Sequence, residues 1–97
     1  MAGYNHNRID VEVLKALSDE TRIEILDLLG RGEMHVNEIA SHHTISRPTI
    51  SYHLQILKRA GIVESRREGK EIYYFVNQFT LTNLAQELLK FSSLGHF

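Results

Sequence analysis

No cysteine occurs among the 97 residues, which excludes disulfides, thiolate zinc sites and thiol nucleophiles. Nor does the chain contain a run of about 18 apolar residues, the length a helix needs to cross a bilayer. Met1 to Asp10 are polar and hold no apolar signal core, so a cytoplasmic protein with no membrane partner is the expectation. Internal repeats, low-complexity tracts, nucleophile motifs, glycine-rich phosphate loops and paired-carboxylate signatures are also missing, and no enzymatic activity is expected. An excess of charge of one sign is lacking too: 11 Lys+Arg stand against 12 Asp+Glu, for a net −1. Taken whole, that balance argues against a nucleic-acid partner. What remains, 42% apolar and 24% charged residues, is the composition of an ordinary globular protein, and the length suits one domain over 1–97.

The apolar pattern along the chain predicts mostly helix. Ile9, Val13, Ala16 and Leu17 share one face of a helix over 9–17, with Val11 and Leu14 on another. Ser18 is the expected N-cap of a second helix, with Asp19 and Glu20 at the positive end of its dipole. This helix carries Ile23, Ile25, Leu26, Leu28 and Leu29 and ends at Gly30 and Gly32. Met34 to Val36 suit a short strand, and Asn37 a cap for a short helix holding Ile39 and Ala40. After the polar break His42-His43-Thr44, Ser46 caps the next helix and Pro48 sits in its first turn, where a missing N–H costs least. Ile50, Leu54 and Leu57 form its buried stripe, and Gly61 closes it. Residues 37–60 therefore read as a helix-turn-helix.

Beyond Gly61 the period changes. Ile62, Val63 and the run Ile72 to Val76 are β-branched or aromatic and flank a polar tip, Arg66-Arg67-Glu68-Gly69-Lys70. That predicts a two-stranded hairpin over 62–76, with Ile72, Tyr74 and Val76 on one face and Tyr73 and Phe75 on the other. Leu81, Leu84, Leu88 and Phe91 then repeat at three and four, which predicts a terminal helix over 80–92, capped by Thr80 or Thr82. The expected fold is mainly α with a small β-hairpin, in the order α-α-(short β)-α-α-β-β-α.

Charge read by position changes the first impression. Residues 44–70 hold six basic residues, Arg47, Lys58, Arg59, Arg66, Arg67 and Lys70, and two acidic ones, Glu64 and Glu68. That segment is +4 and the rest is −5. With Ile50, Leu54 and Leu57 inward, Arg47, Ser51, Tyr52 and Gln55 point outward, and Thr49 lies near the helix N-terminus. Arg forks onto guanine, Gln pairs with an adenine edge, and hydroxyls suit phosphate. The pattern is the electrostatic footprint of a DNA-facing surface. A solvated charge run on a plain polar face is the competing reading.

Three stretches resemble a known family. Leu14-Lys-Ala-Leu-Ser-Asp-Glu-Thr-Arg-Ile-Glu-Ile-Leu26, Thr49-Ile-Ser-Tyr-His-Leu-Gln-Ile-Leu-Lys-Arg-Ala-Gly-Ile-Val63 and Arg66-Arg-Glu-Gly-Lys-Glu-Ile-Tyr-Tyr74 are similar to the signatures of ArsR/SmtB-type winged helix-turn-helix repressors. The likeness runs from about residue 10 to 77 without a gap. It implies a homodimer joined through the first and last helices, with Ile9, Val13, Leu81, Leu84, Leu88 and Phe91 at the interface; packing of the last helix on its own core is the alternative. It implies a near-palindromic double-stranded DNA operator, with Arg66, Arg67 and Lys70 of the wing reaching the backbone or minor groove. Arg22 matches a signature position whose expected role is structural. His53 matches another, for which DNA contact and packing are both open.

Many members of that family release DNA when metal binds. One of their sites uses a Cys-Val-Cys motif, where this chain has His35-Val36-Asn37, so a thiolate site is absent. A second uses Asp and His near the start of the last helix, where this chain has Gln78, Phe79, Thr80 and Leu81. The six histidines, 6, 35, 42, 43, 53 and 96, read as surface residues; His6 and His96 near the chain ends are the pair placed to meet across a dimer. No metal and no cofactor is expected; regulation by an unidentified small molecule, by a sequestering protein or by the protein's own abundance is left open. The competing function is a winged-helix protein-interaction module without DNA binding, which has no need of the cations Arg66, Arg67 and Lys70.

Overall fold

The computed structural model describes residues 9–92. Its elements are α1 (Val11–Leu17), α2 (Glu20–Leu29), β1 (Met34–His35), α3 (Val36–Ser41), α4 (Arg47–Arg59), β2 (Val63–Glu68), β3 (Glu71–Val76) and α5 (Gln78–Leu89). The order matches the expectation, with one difference in the sheet. β1 pairs antiparallel with β3, so the hairpin belongs to a three-stranded sheet of order β1-β3-β2. Met34 lies opposite Tyr74 and His35 opposite Tyr73. Two residues are too short to announce a partner strand from their pattern alone.

Neighbouring side chains displace the expected caps of α2, α3 and α5. Asp10 caps α1, its Oδ1 accepting from the amides of Glu12 at 3.0 Å and Val13 at 3.3 Å. The helix therefore starts at Val11 and leaves Ile9 outside it. Asp19, not Ser18, caps α2 by accepting from the Arg22 amide at 3.1 Å, because a carboxylate at the positive helix end makes the stronger, charge-assisted bond. Ser18 closes α1 instead, its Oγ donating to Leu14 O at 2.8 Å. α3 is capped by His35 rather than Asn37, in a reciprocal box with Glu38. Asn77 caps α5, which starts at Gln78, two residues before the expected 80, and ends at Leu89 rather than 92. Thr80 is freed to donate its Oγ1 hydrogen to Gly61 O at 2.7 Å, which ties α5 to the corner after α4. Ser46 does hold the N-cap position of α4, but its hydroxyl pairs with that of Thr49 at 3.1 Å and caps no backbone amide.

Beyond α4 two backbone positions require glycine. Gly61 turns α4 into β2 at φ +79, and Gly69 opens the hairpin turn at φ +64. The turn holds two residues with positive φ at the first alone, the primed geometry whose twist matches paired strands.

One apolar core draws on every helix and on the sheet. Ile50, Leu54 and Leu57 of α4 are fully buried at its centre, against Ile25 and Leu28 of α2, Ile39 of α3 and Val63 of β2. Two residues expected at an interchain surface are spent here: Val13 is 2% exposed and Leu84 6%. The α1 and α5 stripes are wide enough to pack on their own chain and still leave apolar side chains outside. Val11, Phe79, Leu88, Leu89 and Phe91 are those left exposed, while Ile9 and Leu81 are half-buried. Among the described residues no helix is long and apolar enough to cross a membrane.

Leu54→Ala opens a cavity at the centre of this core. It is expected to lower stability by about 2–5 kcal/mol, measured by urea unfolding at fixed protein concentration.

Candidate nucleic-acid interface

α4 presents its polar face because the other is held in the core. Arg47, Pro48, Thr49, Tyr52, Gln55, Lys58 and Arg59 are exposed, and Ser51 is half-buried. Tyr52 is the prominent side chain of the face, at 61% exposure. Lys58 Nζ donates to Ser65 Oγ of β2 at 2.7 Å, which anchors the helix to the sheet beside it. Arg47, Arg59, Arg67 and Lys70 make no ion pair among the described residues. Lys58 and Arg59 entered the sequence reading as charge alone; their place on the outer side of α4 follows from the same helical period that buries Ile50, Leu54 and Leu57.

The two wing arginines behave differently. Pairing sets Ser65 opposite Tyr74, Arg66 opposite Tyr73 and Arg67 opposite Ile72. Successive residues of a strand face opposite sides. Arg67 therefore shares its side with Ser65, the side bonded to α4, and Arg66 stands on the other. There Arg66 donates to Glu33 Oε1 from Nε at 2.9 Å and from Nη2 at 2.6 Å, pairs with Glu68, and lies 5.2 Å over the Tyr73 ring. Hydrogen bonding to Glu68, then to Glu33, raises its pKa above the ordinary arginine value. Its charge is permanent but compensated, and the expectation of three equivalent cations, Arg66, Arg67 and Lys70, reduces to two without carboxylate partners. Glu33 is the residue that sequence reasoning missed. It reaches Arg66 because β1 lies beside β3, a pairing with no local signal.

His53 is largely covered, its side chain 12% exposed. Its Nδ1 accepts from Arg22 Nη1 at 3.2 Å. Arg22 also donates from Nε to Ala16 O at 2.6 Å and from Nη2 to Lys15 O at 3.5 Å, in the last turn of α1. Arg22 thus bonds helix ends, as its signature position implies.

At the positions where the resemblance would place thiolates, His35 serves as the cap of α3. His35 Nδ1 accepts from the Glu38 amide at 3.4 Å, and its ring sits 5.3 Å from that of Tyr73, edge to face. Its nearest nitrogen is used as a helix cap. Among the described residues no group of three or more His, Cys, Asp or Glu side chains can hold a metal ion. His42 and His43 border a groove of about 510 Å³ with Ile23, Glu24, Asp27 and Arg31, but only His43 is covered, 3.7 Å from Glu24. His6 and His96 lie outside the described residues.

Known proteins share this arrangement. Residues 19–65 match the model of the bacterial regulatory proteins of the arsR family. The chain is 46% identical over 83 residues to the transcriptional repressor SdpR of Bacillus subtilis, spanning 86% of this chain and 92% of that one. It is 38% identical over 76 residues to the arsenical resistance operon repressor of Staphylococcus aureus, across 78% of this chain and 73% of the repressor. Among solved structures, a possible transcriptional regulator for arsenical resistance superposes with a TM-score of 0.77 at 34% identity, over 86% of this chain and 88% of its own. The homodimeric winged helix-turn-helix DNA-binding domain of a possible ArsR-family regulator from Mycobacterium bovis gives 0.71 at 37% identity, over 90% and 82%. Identity of 46% to a repressor across 86% of this chain, with the family match running from Asp19 into β2, makes the chain a member of the arsR family of bacterial regulatory proteins.

Proposed function

We propose that this protein is a homodimeric, sequence-specific transcriptional repressor that blocks a near-palindromic operator. The observation that carries the reading is the cationic surface built by α4 and the hairpin, where Arg47, Arg59, Arg67 and Lys70 stand without carboxylate partners beside Tyr52 and Gln55. α4 enters the major groove, where Arg47, Gln55, Tyr52 and the hydroxyls of Thr49 and Ser51 reach base edges and phosphates. Arg67 and Lys70 lie over the neighbouring backbone. Arg66 supports the wing from its far side, and His53 supports α4 from beneath.

Dimerisation is supported by the homodimeric relative and by the apolar side chains that the core leaves outside. Phe79 and Phe91 are each 78% exposed, and Leu88 42%. An apolar surface of that kind on α5 and the turn after it marks a contact site. A two-fold axis through α1 and α5 sets the recognition helices about one DNA turn apart, roughly 34–36 Å. The reading includes no metal and no other cofactor, and release of DNA is left to a small molecule or protein effector.

Two experiments test it. Selection from random-sequence DNA is expected to enrich a two-fold site. On that site Arg67→Ala with Lys70→Ala flattens the dependence of log affinity on log salt by about 0.9 for each phosphate no longer neutralised, whereas Arg66→Ala leaves the slope near its wild-type value. No enrichment, or an unchanged slope in the double variant, removes the DNA reading or the wing from it. Leu88→Glu places a carboxylate in the apolar face and is expected to give monomers in sedimentation equilibrium at concentrations where the wild type is dimeric.

A further inference from the structure

Arg22 is placed where three helices meet. Its guanidinium donates to Ala16 O at 2.6 Å and Lys15 O at 3.5 Å, carbonyls in the last turn of α1. Its remaining edge donates to His53 Nδ1 on α4 at 3.2 Å. Its own amide is held by Asp19, the N-cap of α2, whose Oδ2 lies 3.7 Å from the same His53 nitrogen. One planar, rigid cation therefore links the end of α1, the start of α2 and the middle of α4. The arrangement suits each partner: the last carbonyls of a helix lack intrahelical donors and form the negative end of its dipole, and a guanidinium offers fixed donors and no acceptor.

The contact also selects the tautomer of a neutral His53 ring. Because arginine can only donate, Nδ1 must be the acceptor, and the proton of the neutral ring sits on Nε2. The ring then packs edge-on against Tyr52 at 5.4 Å, the exposed side chain at the centre of the α4 face. A merely space-filling residue at position 53 would occupy the same volume without locking the helix about its own axis.

We infer that Arg22 and His53 are positioning residues, which hold the recognition helix α4 at a fixed angle to the dimerisation helix α1 and so set the spacing and register of the two recognition helices on DNA. The inference rests on the dimeric DNA-binding function proposed above and deepens it. Lys15 and Ala16, which receive the guanidinium, belong to the helix that faces the partner, so a rotation of α4 against α1 changes the separation of the half-sites. Two recognition helices joined this rigidly tolerate one spacing. Joined loosely, they tolerate several.

The test uses the operator enriched by the wild-type dimer, together with versions carrying two base pairs more or fewer between half-sites, and an unrelated duplex. His53→Leu keeps the bulk and loses the acceptor, while His53→Asn returns an acceptor near the position of Nδ1. His53→Leu is expected to lose at least roughly tenfold in operator affinity, the scale of a broken hydrogen bond to a charged group. It should also discriminate less between the three spacings and bind the unrelated duplex as the wild type does. His53→Asn is expected to restore both affinity and spacing preference. His53→Leu that forms folded dimers and keeps wild-type affinity and spacing preference overturns the inference. A wild type that enriches no operator defeats the functional reading itself, a distinct result. Should His53→Leu fail to fold, long-range proton–nitrogen correlation spectra of wild-type imidazoles decide: Nδ1 unprotonated and altered by Arg22→Lys supports the contact, and a proton on Nδ1 of the neutral ring overturns it.

Discussion

Complete burial of one face of α4 is the constraint on which the rest of the molecule depends. Ile50, Leu54 and Leu57 recur at four and three, so they form a stripe on a single side of the helix. All are fully buried, and together they touch the layers on both sides, the α2–α3 pair and the sheet. Rotating α4 by one residue, about 100°, would expose leucine and bury Tyr52 or Gln55. Each such exchange costs on the order of 1–3 kcal/mol in transfer terms alone. The polar face is therefore aimed by the core behind it, and a surface built for a rigid partner acquires its orientation without any contact of its own.

The hairpin is aimed by a different periodicity with the same effect. Its residues alternate between the side next to α4 and the far side, so two adjacent arginines acquire opposite fates. Arg67 stands with Ser65, which Lys58 bonds at 2.7 Å, and keeps its charge for a partner. Arg66 turns away to Glu33, Glu68 and the Tyr73 ring. The exposed pair itself contributes modestly to stability, as surface ion pairs do. Its larger effect is electrostatic: it concentrates the uncompensated charge of the wing on the side that α4 shares. A net charge near zero is thus compatible with a strongly cationic surface, because compensation is local.

Much of this is legible in the sequence wherever a local rule sets the outcome. The stripe of α4, the glycine turn at Gly69 and the alternating faces of β3 each follow from a period of 3.6 or 2 acting within one element. The caps are less legible. Ser18, Asn37 and Thr80 are good cap residues by propensity, but Asp19, His35 and Asn77 lie within two or three residues and make the better bond in context. What pattern does not give is pairing at long range. Glu33 meets Arg66 33 residues away, and Arg22 meets His53 31 residues away. Neither separation carries any periodic signal; both arise because the fold brings β1 beside β3 and α2 beneath α4. Val13 and Leu84 fall in the core rather than on the expected dimer face for a related reason. An apolar stripe announces that a face will be covered and is silent on whether its own chain or a second copy covers it.

Where the single chain leaves its covering incomplete is itself informative. Glu87 is 7% exposed on α5, with Oε2 bonded to Lys90 Nζ at 3.1 Å and Oε1 buried without a hydrogen-bond partner among the described residues. Leaving a buried carboxylate oxygen unsatisfied costs roughly 1–3 kcal/mol or more. A shallow pocket of about 160 Å³ runs beside it, between Asp10 and Val13 of the α1 segment and Phe79, Asn83 and Leu84 of α5. Phe79, Leu88 and Phe91 stand exposed on α5 and the turn that follows it. Polar dissatisfaction and apolar exposure thus both occur on α5, while Val13 and Leu84 are already committed to the core. In the dimer proposed across α1 and α5, the aromatic rings would be withdrawn from water and Glu87 would lie beside the contact surface. In that proposed dimer the constraint that aims α4 would extend through α1 to the two-fold axis, with Arg22, which bonds both helices, as the connection.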